Sequence, residues 1–271
     1  MNINISDLFS IKGKVALITG GSRGIGEMIA AGFLSLGAKV YISSRKADVC
    51  DATAKRLSEA TGGECISLPA DLAGLEGIDS LAQALSSKES KLDILINNAG
   101  VSWGAPIDEF PEIGWDKVMD TNVKGVFFLT QKLLPLLRAS ASSENPARVI
   151  NIGSIDGILT PAMDTFSYGP SKAAVHHLTR QLSGHLIKEN ITVNAIAPGA
   201  FPTWMLSTGV GFGGKTEGDG VDWDVVAQLI PSRRVGTMED ITGLAVFLSS
   251  RAGAYVVGET ITCDGGAVAC R

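Results

Sequence analysis

KVALITGGSRGIG, residues 14–26, is the stretch whose reading decides the fold. KVALITG (14–20) is a nearly unbroken apolar run of the kind a strand needs when both of its faces are covered. It enters a cluster of glycines, and from Gly24 an amphipathic pattern runs on to residue 36. A strand that turns through glycine into a helix leaves the first helical amides unpaired at the positive end of the helix dipole. Such a turn holds a pyrophosphate. Gly20 permits the tight turn, Gly24 lets a phosphate approach the backbone, and Gly26 lets the helix lie close to the sheet. Ser22, Arg23 and Ile25 complete the cradle.

Outward from this turn the alternation repeats. AKVYISS (38–44), ECISLPA (64–70), LDILINNA (92–99), ARVINIGS (147–154), ITVNAIAPG (191–199) and ETITCDGG (259–266) read as further strands. Helical patterns occupy 24–36, 47–60, 75–88, 112–138, 168–188 and 239–250. This order predicts an α/β chain: a single doubly wound Rossmann-type domain over 1–271, its seven-stranded, mostly parallel sheet covered by helices on both faces. One stretch breaks the pattern. STGVGFGGKTEGDGVDWD (207–224) is glycine-rich and long for a connection, and predicts a flexible substrate flap over about 201–224.

Composition narrows the function classes. With 45% hydrophobic and 19% charged residues in 271, the chain can bury a sizeable core. A net charge of −5 without a basic stripe argues against nucleic acid and anionic membranes as partners. No apolar run approaches the roughly 20 residues that span a bilayer. The opening MNINISDLFSIKGK lacks the basic-then-apolar order of a signal peptide, so a cytoplasmic protein is expected. Cys50, Cys65, Cys263 and Cys270 form no CxxC pair and have no histidine at metal-ligand spacing, so no metal is expected. His176, His177 and His185 read as surface or packing residues.

Two further stretches carry chemistry. The second strand ends in SSRK, where a cofactor with a free ribose 2′-hydroxyl would meet an acidic side chain. Here stand neutral Ser44 and cationic Arg45, and with Arg23 they fit a 2′-phosphate gripped by forked, charge-assisted contacts. NADP(H) is therefore expected over NAD(H). In YGPSK (168–172), Tyr168 and Lys172 are four residues apart and share a helix face. A phenol titrates at about 10, too high for efficient exchange at neutral pH, and a neighbouring cation lowers that value by favouring the phenolate. Pro170 is tolerable because the first helical turn has no amide bond to lose.

These motifs stand in order with DL (71–72), NNAG (97–100), Asn122 in TNVKG, Ser154 in NIGS, PG (198–199) and DGG (264–266). Together they resemble the short-chain dehydrogenase/reductase family, nearly end to end. The resemblance implies an oxidoreductase acting on CH–OH groups, with Tyr168 as general acid. Lys172 would also hold the nicotinamide ribose, Ser154 would hydrogen-bond the substrate carbonyl, and Asn122 would fix a water in a relay from solvent to Lys172. It further implies that Asp71 and Leu72 border the adenine and that Asn98, Ala99 and Gly100 pass under the adenosine half. Pro198, Gly199 and Thr203 would meet the nicotinamide end, although Pro202 stands as an extra proline directly before Thr203.

Within the family the chain is most similar to bacterial 3-oxoacyl thioester reductases, including those of rhamnolipid biosynthesis, through SWGAP, LLPLLR, SSENPARVINIGS and YGPSK. The expected substrate is a 3-oxoacyl thioester on acyl carrier protein or coenzyme A. A sugar, steroid or xenobiotic ketone is the alternative, and a non-catalytic NADP(H) sensor is a reading of another class. Trp103, Ile155 and Trp204, with Phe201 and Met205, would line an apolar site or else pack in the core. The resemblance also implies a homotetramer or homodimer built through 112–138, 168–188 and the last strand.

Overall fold

The computed structural model describes residues 4–208 and 221–270. A short helix α1 (Ile5–Leu8) precedes β1 (Val15–Thr19), which feeds α2 (Gly24–Ser35) and β2 (Lys39–Ser43). Next come α3 (Ala47–Thr61), β3 (Cys65–Ser67), α4 (Leu75–Ser86) and β4 (Ile94–Asn97). The chain continues through α5 (Glu112–Met119), α6 (Gly125–Ser140), β5 (Ala147–Ile152), α7 (Tyr168–Leu186) and β6 (Ile191–Pro198). It closes with α8 (Trp204–Thr208), α9 (Trp223–Leu229), α10 (Met238–Ser249) and β7 (Thr260–Cys263).

Among the described residues the seven strands form one sheet in the order β3-β2-β1-β4-β5-β6-β7. Every neighbouring pair is parallel, so the sheet is wholly rather than mostly parallel. Burial on both faces explains the continuous apolar strands. Successive side chains of a strand point to opposite faces, and β1 divides accordingly. Ala16 and Ile18 join a core with Phe33 of α2 and Ile241 of α10, while Val15 and Leu17 join one with Leu81 of α4 and Leu133 of α6. From β1 the order runs one way through β2 and β3 and the other way through β4. The crevice beyond the carboxyl ends of β1 and β4 is thus the topological switch point, where an open α/β sheet binds its ligand.

Two expectations need correcting. The helix expected over 112–138 is interrupted by a π turn, Asp120–Lys124, between α5 and α6. Its Asn122 is tied back to Val101, as described below, and π turns inside helices are frequent at functional sites. The flap expected over 201–224 holds helical residues at both ends. α9 starts inside it because the Asp222 carboxylate accepts from the amides of Asp224 (3.0 Å) and Val225 (3.2 Å), an N-cap. Residues 209–220 of that flap lie outside the described residues. No described helix is long and apolar enough to cross a membrane.

Candidate active site

The glycine turn is locked to the end of β4 through Thr19. The Thr19 hydroxyl accepts from the amides of Asn98 (3.0 Å) and Ala99 (2.9 Å), and Asn98 Nδ2 donates to the carbonyls of Thr19 (2.8 Å) and Gly20 (3.2 Å). These bonds explain two glycines. Gly20 has φ +63°, and a Cβ on Gly26 would lie 2.4 Å from Asn98 Nδ2 and 2.5 Å from the Gly20 carbonyl oxygen. Gly24 also has a positive φ, +58°, and Thr203 lies over it, its Cγ2 3.2 Å from where a Cβ would stand. The extra Pro202 has not carried Thr203 away from the turn.

The pocket fits a dinucleotide. Among the described residues no side chain caps α2 at Arg23, so its first amides are left for a ligand anion. The Ser43 hydroxyl, buried at the carboxyl end of β2, has no hydrogen-bond partner among the described residues. Ser22 is buried and Ile25 half-buried, Ser44 is half-buried, and Arg45 is exposed beyond it. Arg23 is exposed too, its guanidinium carbon 4.9 Å from the centre of the Trp204 ring. Asp71 turns one carboxylate oxygen onto the Ala73 amide (3.1 Å). Leu72 belongs to the core, so it offers a ligand only its backbone. Pro198 ends β6, and Gly199 follows it at a point where a Cβ would press on Asp264 at 2.9 Å.

The four residues expected to do chemistry come together beside this turn. Asn122 Oδ1 accepts from the Val101 amide (2.8 Å), while Nδ2 donates to the Val101 carbonyl (2.9 Å) and to Ser171 Oγ (3.0 Å). A Cβ on Gly100 would stand 3.4 Å from both Asn122 Oδ1 and Lys172 Nζ, so these groups meet at Gly100. Lys172 Nζ donates to the Ile152 carbonyl (2.8 Å) and lies 5.5 Å from the centre of the Tyr168 ring. Ser154 Oγ is near enough to the Tyr168 hydroxyl to favour its phenolate, and it accepts from the Asp156 amide (3.1 Å), starting the 3₁₀ turn Ile155–Gly157.

The electrostatics correct one expectation. Burial, helped by the Asp156 carboxylate, holds the Tyr168 phenol above its ordinary pKa, against the effect of Ser154. The net shift of the phenol is therefore upward, not downward. The Lys172 ammonium is held by the Ile152 carbonyl, and burial brings its own pKa down to about 8 although Asp156 opposes the change. Desolvation outweighs the pairwise attraction at both groups.

Several contacts around the site were not legible in the sequence. Asp156 acts on both titrating groups and stands two residues after Ser154. His176 is buried with Nε2 3.5 Å from the Ser154 amide, whereas His177 and His185 are exposed. Its spacing of four from Lys172 was the available signal. A polar rung crosses the sheet below the site: Asn97 Nδ2 donates to Thr130 Oγ1 (3.0 Å) and Asn151 Oδ1 (2.9 Å), and Asn151 Nδ2 to Thr179 Oγ1 (2.9 Å).

The expected apolar lining divides. Phe201 is 2% exposed and packs against Gly236, so it is core. Trp103 rests on Gly114 with Lys117 Nζ 5.4 Å from the centre of its ring. Ile155 is half-buried in the turn after Ser154, and Trp204 and Met205 are exposed on α8. Ile158 and Phe166, between Ser154 and Tyr168, are exposed as well.

Residues 14–209 match the family model described as short chain dehydrogenase. The chain is 50% identical over 258 residues to the rhamnolipids biosynthesis 3-oxoacyl-[acyl-carrier-protein] reductase of Pseudomonas aeruginosa, covering 95% of this chain and 97% of that one. It superposes with a TM-score of 0.89 on the solved Pseudomonas aeruginosa RhlG/NADP active-site complex, at 49% identity, covering 97% of this chain and 99% of that one. The L-sorbose reductase of Gluconobacter frateurii, solved with NADPH and L-sorbose, is similar at a TM-score of 0.87 and 31% identity, covering 97% and 99%.

Proposed function

The chain belongs to the short chain dehydrogenase family, and we propose that it is an NADPH-dependent carbonyl reductase whose substrate is a 3-oxoacyl thioester. One observation carries the reaction: Ser154, Tyr168 and Lys172 converge beside a glycine turn whose amides no described side chain caps. The thioester is supported by the half-identical Pseudomonas reductase and by the exposed apolar Ile158, Phe166, Trp204 and Met205, a setting for an acyl chain rather than a polyol. NADPH is supported by the NADP and NADPH in the two solved relatives and by cationic Arg23 and Arg45 where an acidic side chain would otherwise select NADH.

When bound, reduced nicotinamide supplies the hydride; the chain supplies everything else. Ser154 holds the substrate carbonyl oxygen against the Tyr168 hydroxyl. Tyr168, its pKa raised by burial, keeps its proton at neutral pH and gives it to that oxygen as charge develops there. The product is an alcohol. Lys172, at about 8, is mostly cationic at neutral pH, so its charge steadies the phenolate left behind. Asn122 spends its side chain on Val101 and Ser171, so its part in a water relay to Lys172 falls to its backbone within the π turn. Asp71, Leu72, Asn98, Ala99 and Gly100 would flank the adenosine half, and Pro198, Gly199 and Thr203 the nicotinamide end.

The protein would work in the cytoplasm as a homotetramer or homodimer. A groove of about 500 Å³ on the outer face of the π turn, α6 and α7, lined by Val123, Phe127, Phe128 and Leu178 among others, supports that assembly.

The test is nicotinamide oxidation with 3-oxoacyl thioesters on coenzyme A and on acyl carrier protein, compared with L-sorbose, each with NADPH and NADH. Thioester reduction that prefers NADPH is expected, with Arg45→Ala narrowing the preference. Reduction of L-sorbose alone would overturn the substrate, and a preference for NADH would overturn the role of Arg45.

A further inference from the structure

Tyr168, Lys172 and His176 follow one another at intervals of four on α7 and so share one face of the helix. The imidazole of His176, 5% exposed, fills a slot shaped by two missing side chains. A Cβ on Gly153 would lie 2.1 Å from its Nε2, and one on Gly157 would lie 2.8 Å from its Cε1. These glycines bracket the turn that carries Ser154. The Gly153 amide is held by the Ile196 carbonyl (2.7 Å), and the next amide, Ser154, points at His176 Nε2 (3.5 Å).

We propose that His176 is a positioning residue, a neutral acceptor for the Ser154 amide that sets the height of the Ser154–Gly157 turn and hence the place where the Ser154 hydroxyl meets the substrate carbonyl. For Nε2 to accept, the neutral ring must carry its proton on Nδ1. Burial, with the charges of Lys172 and Arg180, brings the pKa down to about 4, so the ring stays neutral over the working range. An apolar side chain would fill the slot equally well. It would leave the Ser154 amide buried without a partner, a penalty that the turn relieves by moving. The inference rests on Ser154 as the carbonyl-binding group, the role proposed above.

His176→Leu and His176→Met fill the slot without an acceptor, and His176→Gln returns an acceptor near the Nε2 position. Each purified protein is assayed for kcat, KM and NADPH affinity, and the cofactor-free forms for amide exchange in the peptide spanning 153–158. Both apolar variants should lose about 10- to 100-fold in kcat, the cost of a misplaced polar group, with KM and NADPH affinity little changed. Their 153–158 amides should exchange faster, while the Gln variant should stay near wild type in both readouts. Wild-type kcat and exchange in either apolar variant would overturn the proposal. So would equal losses in the Gln and apolar variants, which would make the ring's shape the reason for the residue. Exchange needs no substrate, so failure of the thioester reading leaves this result standing or falling by itself.

Discussion

Tyr168 and Lys172 respond to burial in opposite directions: the phenol is raised and the amine lowered, each toward its neutral form. Asp156 is the residue that touches both balances, since its carboxylate raises both pKa values. Removing that charge in Asp156→Asn should lower the two together. Carbonyl reduction needs the phenolic proton and the lysine charge, and each is lost as pH rises through its pKa. The alkaline limb of the kcat profile should therefore move to lower pH in the variant, and a limb that moved up would contradict the electrostatic account. The spacing of Tyr168 and Lys172 was legible in the sequence. The sign of the phenol's shift was not, because it depends on how deeply the pair is buried and on Asp156, whose contribution comes through space. His176 was read only as a surface or packing residue, and only packing shows that it lies behind Ser154.

Among the elements, the strand–turn–helix at 15–35 was legible because backbone chemistry restricts it to glycine. Gly26 is the sharpest case, with the Gly20 carbonyl and Asn98 Nδ2 where a methyl would stand. Gly26→Ala should cost about 1–3 kcal/mol in urea denaturation, as overpacking does, and should weaken NADPH binding by tilting α2 off the turn. Wild-type stability together with wild-type affinity would contradict this packing. The π turn of Asp120–Lys124 was hidden within an apparently continuous helical pattern. It matters to the site, because it places Asn122 between Val101 and Ser171. α9 was hidden by glycines on its N-terminal side, although Asp222 followed by Trp223 and Asp224 was a readable N-cap. Phe201 stayed open between site lining and core, because a lone aromatic in a loop does not reveal that Gly236 lies beneath it.

At the scale of the molecule, alternating apolar strands and amphipathic helices implied a parallel sheet, and the order β3-β2-β1-β4-β5-β6-β7 puts its switch point at the glycine turn. Everything proposed about chemistry follows from that position, where the carboxyl ends of β1, β4, β5 and β6 supply Thr19, Asn98, Ser154 and Thr203 to one crevice. Substrate choice was the least legible property. It depends on loops whose exposed side chains, Ile158, Phe166 and Trp204 among them, follow no periodicity. The central claim is that this crevice transfers a hydride and that Tyr168 supplies the accompanying proton. Its most direct test compares wild type with Tyr168→Phe for NADPH oxidation by a 3-oxoacyl thioester, with NADPH binding measured on the same samples. The account predicts a fall in kcat of about 10²- to 10⁴-fold, the range a general acid contributes, with binding unchanged. A phenylalanine variant that turns over at the wild-type rate would contradict it.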